Sequence, residues 1–325
     1  MAAPIAQSAR RLALIVAGLA CLTSASYATE SPPQFITAWG AYGSGVGQFI
    51  NPWGLAIDPA GFVYVADQAN HRICKFTHTG EFVLAWGSYG TGPGQFHATG
   101  GIDADETGRV FVSDLYNDRV QIFTSGGVFL NQIEHLSRPY DVAVGPSGTV
   151  YVADTENSRI AKFAADGSFI GELGLGGGNP TGVAVDAEEN LYVADDWYVH
   201  DWVAKYDPAG NLLMTIGSVG PEPGQLNGPA GLAIDAAGNI YVADHGNSRV
   251  QKFGPTGSLL SYWGTYGTGN GQFNVTLDVA LGPDGSIYVS DTGNHRIQKF
   301  AHVPVSAASA TWGSVKARYR PERVK

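Results

Sequence analysis

The densest group of ring side chains in the sequence lies within one run of seven residues, 196–202. Trp197, Tyr198, His200 and Trp202 stand there together. Trp and Tyr dominate ligand-binding surfaces because each combines a large, rigid apolar area with a polar edge. The run therefore predicts a stacking surface for a ligand. The alternative is that the four rings pack onto the scaffold that carries them.

Three aspartates interrupt segments that are otherwise small and apolar: Asp103, Asp141 and Asp278. Carboxylate oxygens are the ligands that a hard cation such as Ca²⁺ prefers. A buried carboxylate can instead be satisfied by accepting backbone N–H groups. We expect no cofactor, and a divalent cation held by these three side chains is the alternative.

The residues that would mark a hydrolase or a metalloenzyme are not arranged as those enzymes need them. The eight histidines are scattered, without the His-x-x-x-His spacing that directs two ligands to one metal. No Gly-x-Ser-x-Gly segment is present to position a nucleophilic serine. The sequence favours a non-catalytic binding protein and assigns no catalytic residue. An enzyme whose site converges from distant segments stays open.

A four-residue pattern, an aromatic residue followed by Val, a small residue and Asp, recurs six times. Its aspartates lie 47, 40, 41, 49 and 47 residues apart. A period in this range fits a unit of four short strands and their turns, and no apolar spacing of 3.6 residues indicates helices. Six such units predict an all-β fold, a six-bladed β-propeller. The motif aspartates are Asp67, Asp114, Asp154, Asp195, Asp244 and Asp291.

The turn after five of these aspartates carries a second signature, Asn followed by His, Ser or Asp and then Arg. It begins at Asn70, Asn117, Asn157, Asn247 and Asn294. These residues resemble the NHL repeat, and the resemblance covers nearly the whole chain after its first 28 residues. It implies a propeller of four-stranded blades. It does not imply one activity, because one fold serves many functions.

Relatives with the NHL-like fold suggest two kinds of function. Some serve as interaction platforms, whereas the peptidyl-hydroxyglycine amidating lyase binds zinc through histidines near its inner strands. None of the comparable positions here is a histidine, so a binding scaffold is favoured. A metal-dependent lyase or lactonase is the alternative. The comparable positions are Trp53, Gly100, Tyr140, Thr181, Ala230 and Leu277.

The repeated motif residues are predicted to be structural, since an active site is needed once and a turn is needed in every blade. We expect the Asp to accept backbone N–H groups in the turn. We expect the Asn to take a left-handed backbone conformation and the Arg to pair with an acid. These residues therefore drop out of the candidate site.

Closure of the ring can be predicted from the two ends of the repeat array. The sixth unit stops after its third strand, at Phe300. A lone strand of the fourth type, 35–39, precedes the first unit. We predict that this strand completes the last blade, because an unpaired third strand would leave an open sheet edge.

Candidate function lies where the chain departs from its repeat. In blade 4 the motif Asp lies eleven residues before the next motif ring instead of nine, and the four-ring run replaces the usual Asn and Arg. The connectors into blades 3 and 4 are short, whereas the other four are long and Gly-rich. Short connectors beside an enlarged loop predict a notch that binds a ligand. The predicted site consists of Arg138, Tyr140, Asn179, Trp197, Tyr198, His200 and Trp202.

Residues 1–28 have the features of a secretory signal peptide. Arg10 and Arg11 precede an apolar run, and small residues lead to a predicted cleavage after Ala28. We therefore expect a secreted or periplasmic protein with a propeller over 29–303 and no transmembrane segment. A lipoprotein anchor at Cys21 is not favoured, because the leucine of its box sits one place late. Cys74 then remains alone and is expected to be a buried apolar residue.

Charge divides the mature chain into an acidic propeller and a basic tail. Without Arg10, Arg11 and the segment after Thr311, the counts are 12 basic and 28 acidic residues, a net charge of −16. Nucleic acid is an improbable partner for such a surface, so we expect a protein, peptide or glycan ligand. The tail, 304–325, is expected to make at most weak contacts with a membrane surface or a partner.

Overall fold

The computed structural model describes residues 28–197 and 200–302. In this part of the chain, 24 strands form six antiparallel sheets of four strands each. The sheets are the blades of a propeller, and the first strand of every blade faces a central channel. The predicted all-β, six-bladed fold is confirmed.

Five blades take all four strands from one continuous stretch of chain, and the sixth takes its outer strand from the N-terminal end. Blade 1 contains β2 (Pro52–Ile57), β3 (Val63–Asp67), β4 (Arg72–Phe76) and β5 (Phe82–Trp86). Blade 2 contains β6 (Thr99–Ala104), β7 (Val110–Asp114), β8 (Arg119–Phe123) and β9 (Phe129–Ile133). Blade 3 contains β10 (Pro139–Val144), β11 (Val150–Asp154), β12 (Arg159–Phe163) and β13 (Phe169–Gly174).

The remaining three blades follow the same order from the axis to the rim. Blade 4 contains β14 (Pro180–Val185), β15 (Leu191–Trp197), β16 (His200–Tyr206) and β17 (Leu212–Ile216). Blade 5 contains β18 (Pro229–Ile234), β19 (Ile240–Asp244), β20 (Arg249–Phe253) and β21 (Leu259–Trp263). Blade 6 contains β22 (Thr276–Leu281), β23 (Ile287–Asp291), β24 (Arg296–Ala301) and β1 (Gln34–Trp39).

The strands that carry the aromatic-Val-small-Asp pattern form the buried middle of each blade. In β3, β7, β11, β19 and β23 every residue is buried. Both faces of a blade are covered by its neighbours, so apart from the terminal Asp and the small Ser113 and Ser290 these strands are apolar instead of alternating with polar residues. This double burial explains why the pattern was visible in the sequence.

Small residues line the axis because neighbouring inner strands approach one another closely there. A β-carbon on Gly54 of β2 would lie 2.7 Å from the carbonyl oxygen of Gly100 on β6. Only glycine fits at such a separation. These small residues therefore allow the first strand of each blade to lie innermost.

The N-terminal strand closes the ring as predicted. β1 pairs antiparallel with β24, from Gln34 opposite Ala301 to Trp39 opposite Ile297. The ring is therefore tied by hydrogen bonds between the two ends of the described chain. No third strand is left with a free edge in blade 6.

Tryptophan fills the outer groove between blades at three of the six equivalent positions in the described residues. Each of these side chains ends a fourth strand and packs against a phenylalanine of the next blade. The pairs are Trp39–Phe76 at 5.9 Å, Trp86–Phe123 at 5.7 Å and Trp263–Phe300 at 6.0 Å between ring centroids.

The motif aspartate and its partners form a corner between the second and third strands. Asp67 Oδ2 accepts hydrogen bonds from Asn70 Nδ2 and Arg72 Nε, both at 2.8 Å. Its Oδ1 accepts the backbone N–H of Ile50 in the connector, also at 2.8 Å. The motif is thus structural, and the pairing of its Arg with an acid is as predicted.

The left-handed backbone position in this corner differs from our expectation. Asn70 lies in a single-turn 3₁₀ helix, and the following His71 has φ of +54°. The asparagine stays in the helical turn because its amide is used to bond Asp67 and the connector carbonyl of Gly43. Five blades have this helix: Gln68–Asn70, Leu115–Asn117, Thr155–Asn157, His245–Asn247 and Thr292–Asn294.

The insertion in blade 4 extends two strands instead of enlarging a loop. β15 and β16 have seven residues each, where the equivalent strands of blade 1 have five. Asp196 lies opposite Asp201, and Trp197 lies opposite His200. The two extra residues replace the 3₁₀ corner by a longer antiparallel hairpin, so our expectation of an aromatic loop was wrong in its backbone geometry.

The single cysteine of the described residues behaves as an apolar core residue. Cys74 is completely buried within β4. Burial raises the pKa of its thiol to about 12, so the reactive thiolate is disfavoured. None of the helices in the described part is long and apolar enough to cross a lipid bilayer.

Candidate functional site

One face of the ring, here the upper face, carries the 3₁₀ corners and the connectors between blades. Long connectors are held there by the motif Arg of the blade that they enter. Arg119 Nη2, for example, donates to the carbonyls of Gly92 and Gln95 at 2.9 Å each. At the short connector into blade 3, Arg159 Nη2 donates to the carbonyl of His135 at 3.2 Å. The predicted contrast between long and short connectors is therefore present in the fold.

A continuous series of ring contacts crosses the upper face from blade 1 toward blade 3. The ring of Tyr89 lies 5.1 Å from that of His71 and 5.2 Å from that of His97. His97 in turn lies 5.0 Å from Tyr116. Tyr89 and Tyr116 are 64% and 52% exposed, so the series presents aromatic surface to solvent.

The guanidinium of Arg138 continues this series into blade 3. It lies 5.4 Å from the ring centre of Tyr116 and 5.6 Å from that of Tyr140. Arg138 Nη2 also donates to the Tyr140 hydroxyl at 3.3 Å. The ring of Tyr140 then meets that of Trp53 at 5.5 Å. We call the whole set the aromatic arc: His71, Tyr89, His97, Tyr116, Arg138, Tyr140 and Trp53.

The position of Arg138 is fixed by hydrogen bonds from its backbone and side chain. Its φ is +46°, and its backbone N–H donates to Asp118 Oδ1 at 2.9 Å. Nη1 donates to Glu156 Oε1 at 3.1 Å, which raises the pKa of the Arg138 guanidinium. The side chain is 37% exposed. The arc therefore carries one positive group, already paired with a partly exposed carboxylate.

His71 anchors the other end of the arc in a neutral form. Its Nδ1 accepts the backbone N–H of Ala98 at 3.1 Å, a bond that joins blade 1 to blade 2. Burial, with a further contribution from the nearby His97, lowers the pKa of His71. Both observations favour the neutral imidazole, which offers a flat ring without a charge.

The structure brings together only part of the predicted site. Arg138 and Tyr140 are in contact, as described above. Asn179 instead bonds blade 4: its backbone N–H donates to Asp195 Oδ1 at 2.9 Å, and its Nδ2 donates to the Asp196 carbonyl at 3.4 Å. Trp202 is half-buried in β16 opposite Asp195. Tyr198 and the side chains of Trp197 and His200 lie outside the described residues, so their role stays a prediction.

The three channel aspartates are bonded to backbone, each bridging two neighbouring blades. Asp278 Oδ2 accepts the N–H of Leu55 at 2.7 Å, and its Oδ1 accepts that of Val279 at 2.8 Å. Asp103 Oδ2 likewise accepts the backbone N–H of Val144 at 2.8 Å, and Asp141 Oδ2 accepts that of Val183 at 2.9 Å. These bonds fit the second of the two roles considered for the three acids.

Enclosure around the channel shifts the titration of these acids. Burial raises the pKa of Asp103 to about 6 and that of Asp141 to about 7. Burial and the neighbouring Asp141 raise the pKa of Asp278. The channel has a volume of about 200 Å³. Over the described residues, no group of three or more His, Cys, Asp or Glu side chains has an arrangement that could hold a metal ion.

The fold and its corners define the class of protein: a six-bladed propeller of repeated four-stranded blades with an Asp-Asn-Arg corner. The sequence profile of the NHL repeat matches residues 49–76, 136–163, 226–253 and 277–300. The chain is an NHL-repeat protein. No curated protein matches it.

Solved structures with the same fold have diverse functions. A Bacteroides thetaiotaomicron protein of unknown function is 18% identical with a TM-score of 0.64, covering 82% of this chain and 76% of its own. Hydrazine synthase of Kuenenia stuttgartiensis is 12% identical with a TM-score of 0.61, and the match covers 78% of this chain and 96% of the synthase chain. Virginiamycin B lyase of Staphylococcus aureus is 14% identical with a TM-score of 0.57, and the match covers 82% of this chain and 95% of the lyase chain. Identities this low show the fold alone.

Sequence reasoning missed the half of the aromatic arc that lies on blades 1 and 2. In the sequence, His71 belongs to the repeated turn, and His97 lies alone in a connector between blades. Tyr89 and Tyr116 lie 27 residues apart in sequence, so no local pattern joined them. The available signal was the repeat itself: connectors and corners share one face, so their ring residues can meet there.

Proposed function

We propose that this chain is an exported NHL-repeat propeller that binds a protein, peptide or glycan ligand, without catalysis, on its upper face. The observation that carries the proposal is the aromatic arc. Five rings and one guanidinium run without a break from Tyr89 to Trp53, with Tyr89 and Tyr116 more than half exposed. Exposed aromatic residues beside Arg are typical of binding hot spots.

The length of the arc distinguishes it from the repeated corner. A Tyr–His pair also occurs between blades 6 and 1, where Tyr42 lies 5.0 Å from His295. The pair by itself is therefore a feature of the repeat. The extension through His97, Tyr116 and Arg138 begins at the entrance to blade 2 and is not part of the motif. This departure from the repeat supports a role in recognition.

A metal-dependent lyase or lactonase remains the alternative and makes a different prediction about composition. Such an enzyme would retain a metal through purification. Elemental analysis of the purified protein for zinc and calcium therefore separates the two proposals. A stoichiometric metal would favour the enzyme.

The binding proposal is tested with arrays of glycans and synthetic peptides probed with the purified protein. We expect Tyr116→Ala and Tyr89→Ala each to lose at least about tenfold in affinity for the array features that the unmodified protein binds. Tyr266→Ala is the matched control, because Tyr266 holds the position of Tyr89 in another long connector and is 74% exposed. Equal binding by all three variants would refute a site on the arc.

A further inference from the structure

The outermost strand of blade 5 shows what a blade edge can bind, because an extended segment of the same chain lies against it. The backbone N–H groups of Thr29 and Glu30 both donate to the carbonyl of Leu260 in β21, at 2.9 and 2.8 Å. Glu30 Oε2 also accepts a hydrogen bond from Lys252 Nζ of the adjacent strand β20 at 2.7 Å. Two backbone donors and one carboxylate therefore hold this segment on the edge.

The residue that supplies this carbonyl has an equivalent in every blade. The pairing of the third and fourth strands passes over one residue of the fourth strand, and in blade 5 that residue is Leu260. Leu260 is half-buried where the N-terminal segment lies against it, whereas its five equivalents are 41–56% exposed. They are Ile36, Val83, Leu130, Ile170 and Leu213. Five apolar blade edges in the described ring are thus left without the cover that blade 5 has.

A lysine holds the position of Lys252 in four other blades, and three of these lysines are bonded within the ring. Their ammonium groups lie 3.1–3.2 Å from a carbonyl of the neighbouring blade or a carboxylate of their own blade: Lys75, Lys299 and Lys205. In the described part of the chain, the ammonium of Lys162 in blade 3 has neither a hydrogen bond nor an ion pair, and it lies 5.7 Å from the centre of the Tyr151 ring. The first turn of blade 3 begins with Gly145, where blade 4 has Asp186, the partner of its lysine. The loss of that acid leaves the charge of Lys162 unpaired.

Two carboxylates of neighbouring turns do not replace the lost acid, because each is bonded elsewhere. Glu189 Oε2 accepts a hydrogen bond from the Tyr151 hydroxyl at 3.0 Å. Asp166 Oδ1 accepts one from the Ser168 hydroxyl at 2.7 Å. Among the described residues, the ring therefore offers Lys162 no carboxylate of its own.

The strand edge beside this lysine is open to a second backbone. β13 is the outermost strand of blade 3, and its Ile170 holds the position of Leu260. A β-carbon on Gly171, the next residue, would have no neighbour within 4 Å, and glycine in a strand permits another backbone to approach closely. Phe169, which is 55% exposed, adds apolar area. We call Lys162, Phe169, Ile170 and Gly171 the blade 3 edge.

We propose that the blade 3 edge binds an extended acidic segment of a partner protein, in the arrangement that Thr29 and Glu30 have on blade 5. Two successive backbone N–H groups of the partner donate to the carbonyl of Ile170, and a carboxylate of the partner accepts from Lys162. In this mode of recognition, backbone hydrogen bonds supply affinity and side chains supply specificity. The net negative charge of the ring does not prevent such binding, because the same ring holds Glu30 on Lys252.

The test uses the full-length protein and a displayed library of random short peptides. Peptides selected on the unmodified protein are then measured on Lys162→Met, which keeps the aliphatic chain and removes the charge. We expect a group of peptides, each with an acidic residue, to bind Lys162→Met at least about tenfold more weakly and to bind Lys162→Arg almost as well as the unmodified protein. Replacing the acid by its amide, or methylating the backbone nitrogens of the acid and the residue before it, should cause a similar loss. These changes to the peptide leave the protein unaltered, so misfolding of a variant cannot explain them.

Two control variants separate the blade 3 edge from other surfaces. Lys299→Met removes the equivalent charge in blade 6, where it is bonded to the carbonyl of His78, and should leave these peptides bound. Tyr116→Ala alters the aromatic arc, at the opposite end of the blades, and should also leave them bound, so this inference can fail or hold independently of the arc. The proposal is overturned if no selected peptide distinguishes the unmodified protein from Lys162→Met. It is also overturned if the peptides that do so bind equally well once their acid is replaced by its amide.

Discussion

Removal of the N-terminal strand is the most direct test of how the ring is held together. β1 pairs with β24 at five positions, and its two aromatic side chains pack on both sides of blade 6. Phe35 lies 6.0 Å from Phe300, and Trp39 lies 5.9 Å from Phe76 of blade 1. Deleting residues 29–41 removes both contacts and exposes the whole edge of β24.

The expected loss can be estimated from these contacts. Truncating a buried aromatic side chain costs about 3–5 kcal/mol, and the lower end applies because both rings are only partly buried. Two rings at about 3 kcal/mol each and about five ladder hydrogen bonds at about 1 kcal/mol each give about 11 kcal/mol. A domain is typically stable by only 5–15 kcal/mol. The deletion should therefore leave little or no folded protein at 37 °C.

Graded variants make this measurement quantitative. Trp39→Ala should lower the free energy of unfolding by about 3 kcal/mol and the Tm by about 6–12 °C. Ile36→Ala is the control on the same strand; its side chain is 50% exposed, so the change should stay within about 1 kcal/mol. Urea and thermal unfolding followed by circular dichroism give both quantities. A truncated protein that melts with the full chain would refute closure by β1 as a stabilising contact.

Two further predictions follow from buried ionisable groups. Because the pKa values of Asp103, Asp141 and Asp278 are raised above that of an unfolded aspartate, the folded state binds more protons, and stability is lost as pH rises from about 4 to about 7. The Tm should fall between pH 5 and pH 8. Asp278→Asn should flatten this slope, whereas the exposed-acid control Asp284→Asn should not; equal slopes would contradict the argument. Cys74, buried with a raised thiol pKa, should resist maleimide in the native protein and react after denaturation, and rapid labelling without denaturant would show that β4 opens.

Most of the fold was predictable because the propeller repeats one physical problem six times. Each middle strand is buried on both faces, so Tyr64, Val65 and Ala66 and their copies are almost all apolar up to the corner aspartate. The corner aspartate must accept several donors at once, which fixed the Asn and Arg that follow it. Ring closure followed from counting strands. These features are set by local sequence and constant geometry, and the periodicity made them visible.

The candidate site was only partly predictable because it depends on contacts between blades. Arg138 and Tyr140 were identified from the short connector beside them, and they do meet. Tyr116 belongs to the corner of blade 2. Its ring contacts Arg138 because the corners and the connectors all lie on the upper face of the ring. The blade 4 insertion was visible as two extra residues. These residues lengthen a hairpin because β15 and β16 continue to pair across them. The number of extra residues in the sequence does not determine that pairing.

Departures from the repeat have different meanings according to what they leave unsatisfied. In blade 3 the short connector leaves the guanidinium of Arg159 with one connector carbonyl, where Arg119 has two, and Glu172 from β13 supplies a further acceptor. Arg119 has the equivalent fourth-strand acceptor in Gln132, so Arg159 keeps one connector bond fewer, and this change implies no ligand. The tryptophan missing from the groove beside Gly167 is compensated within the fold: a β-carbon on Gly167 would lie 3.4 Å from Asn131 Nδ2 and 3.6 Å from Ile133 Cγ1. A departure is the stronger indication of an interaction where the side chains that it adds stay exposed, as Tyr89 and Tyr116 of the aromatic arc do.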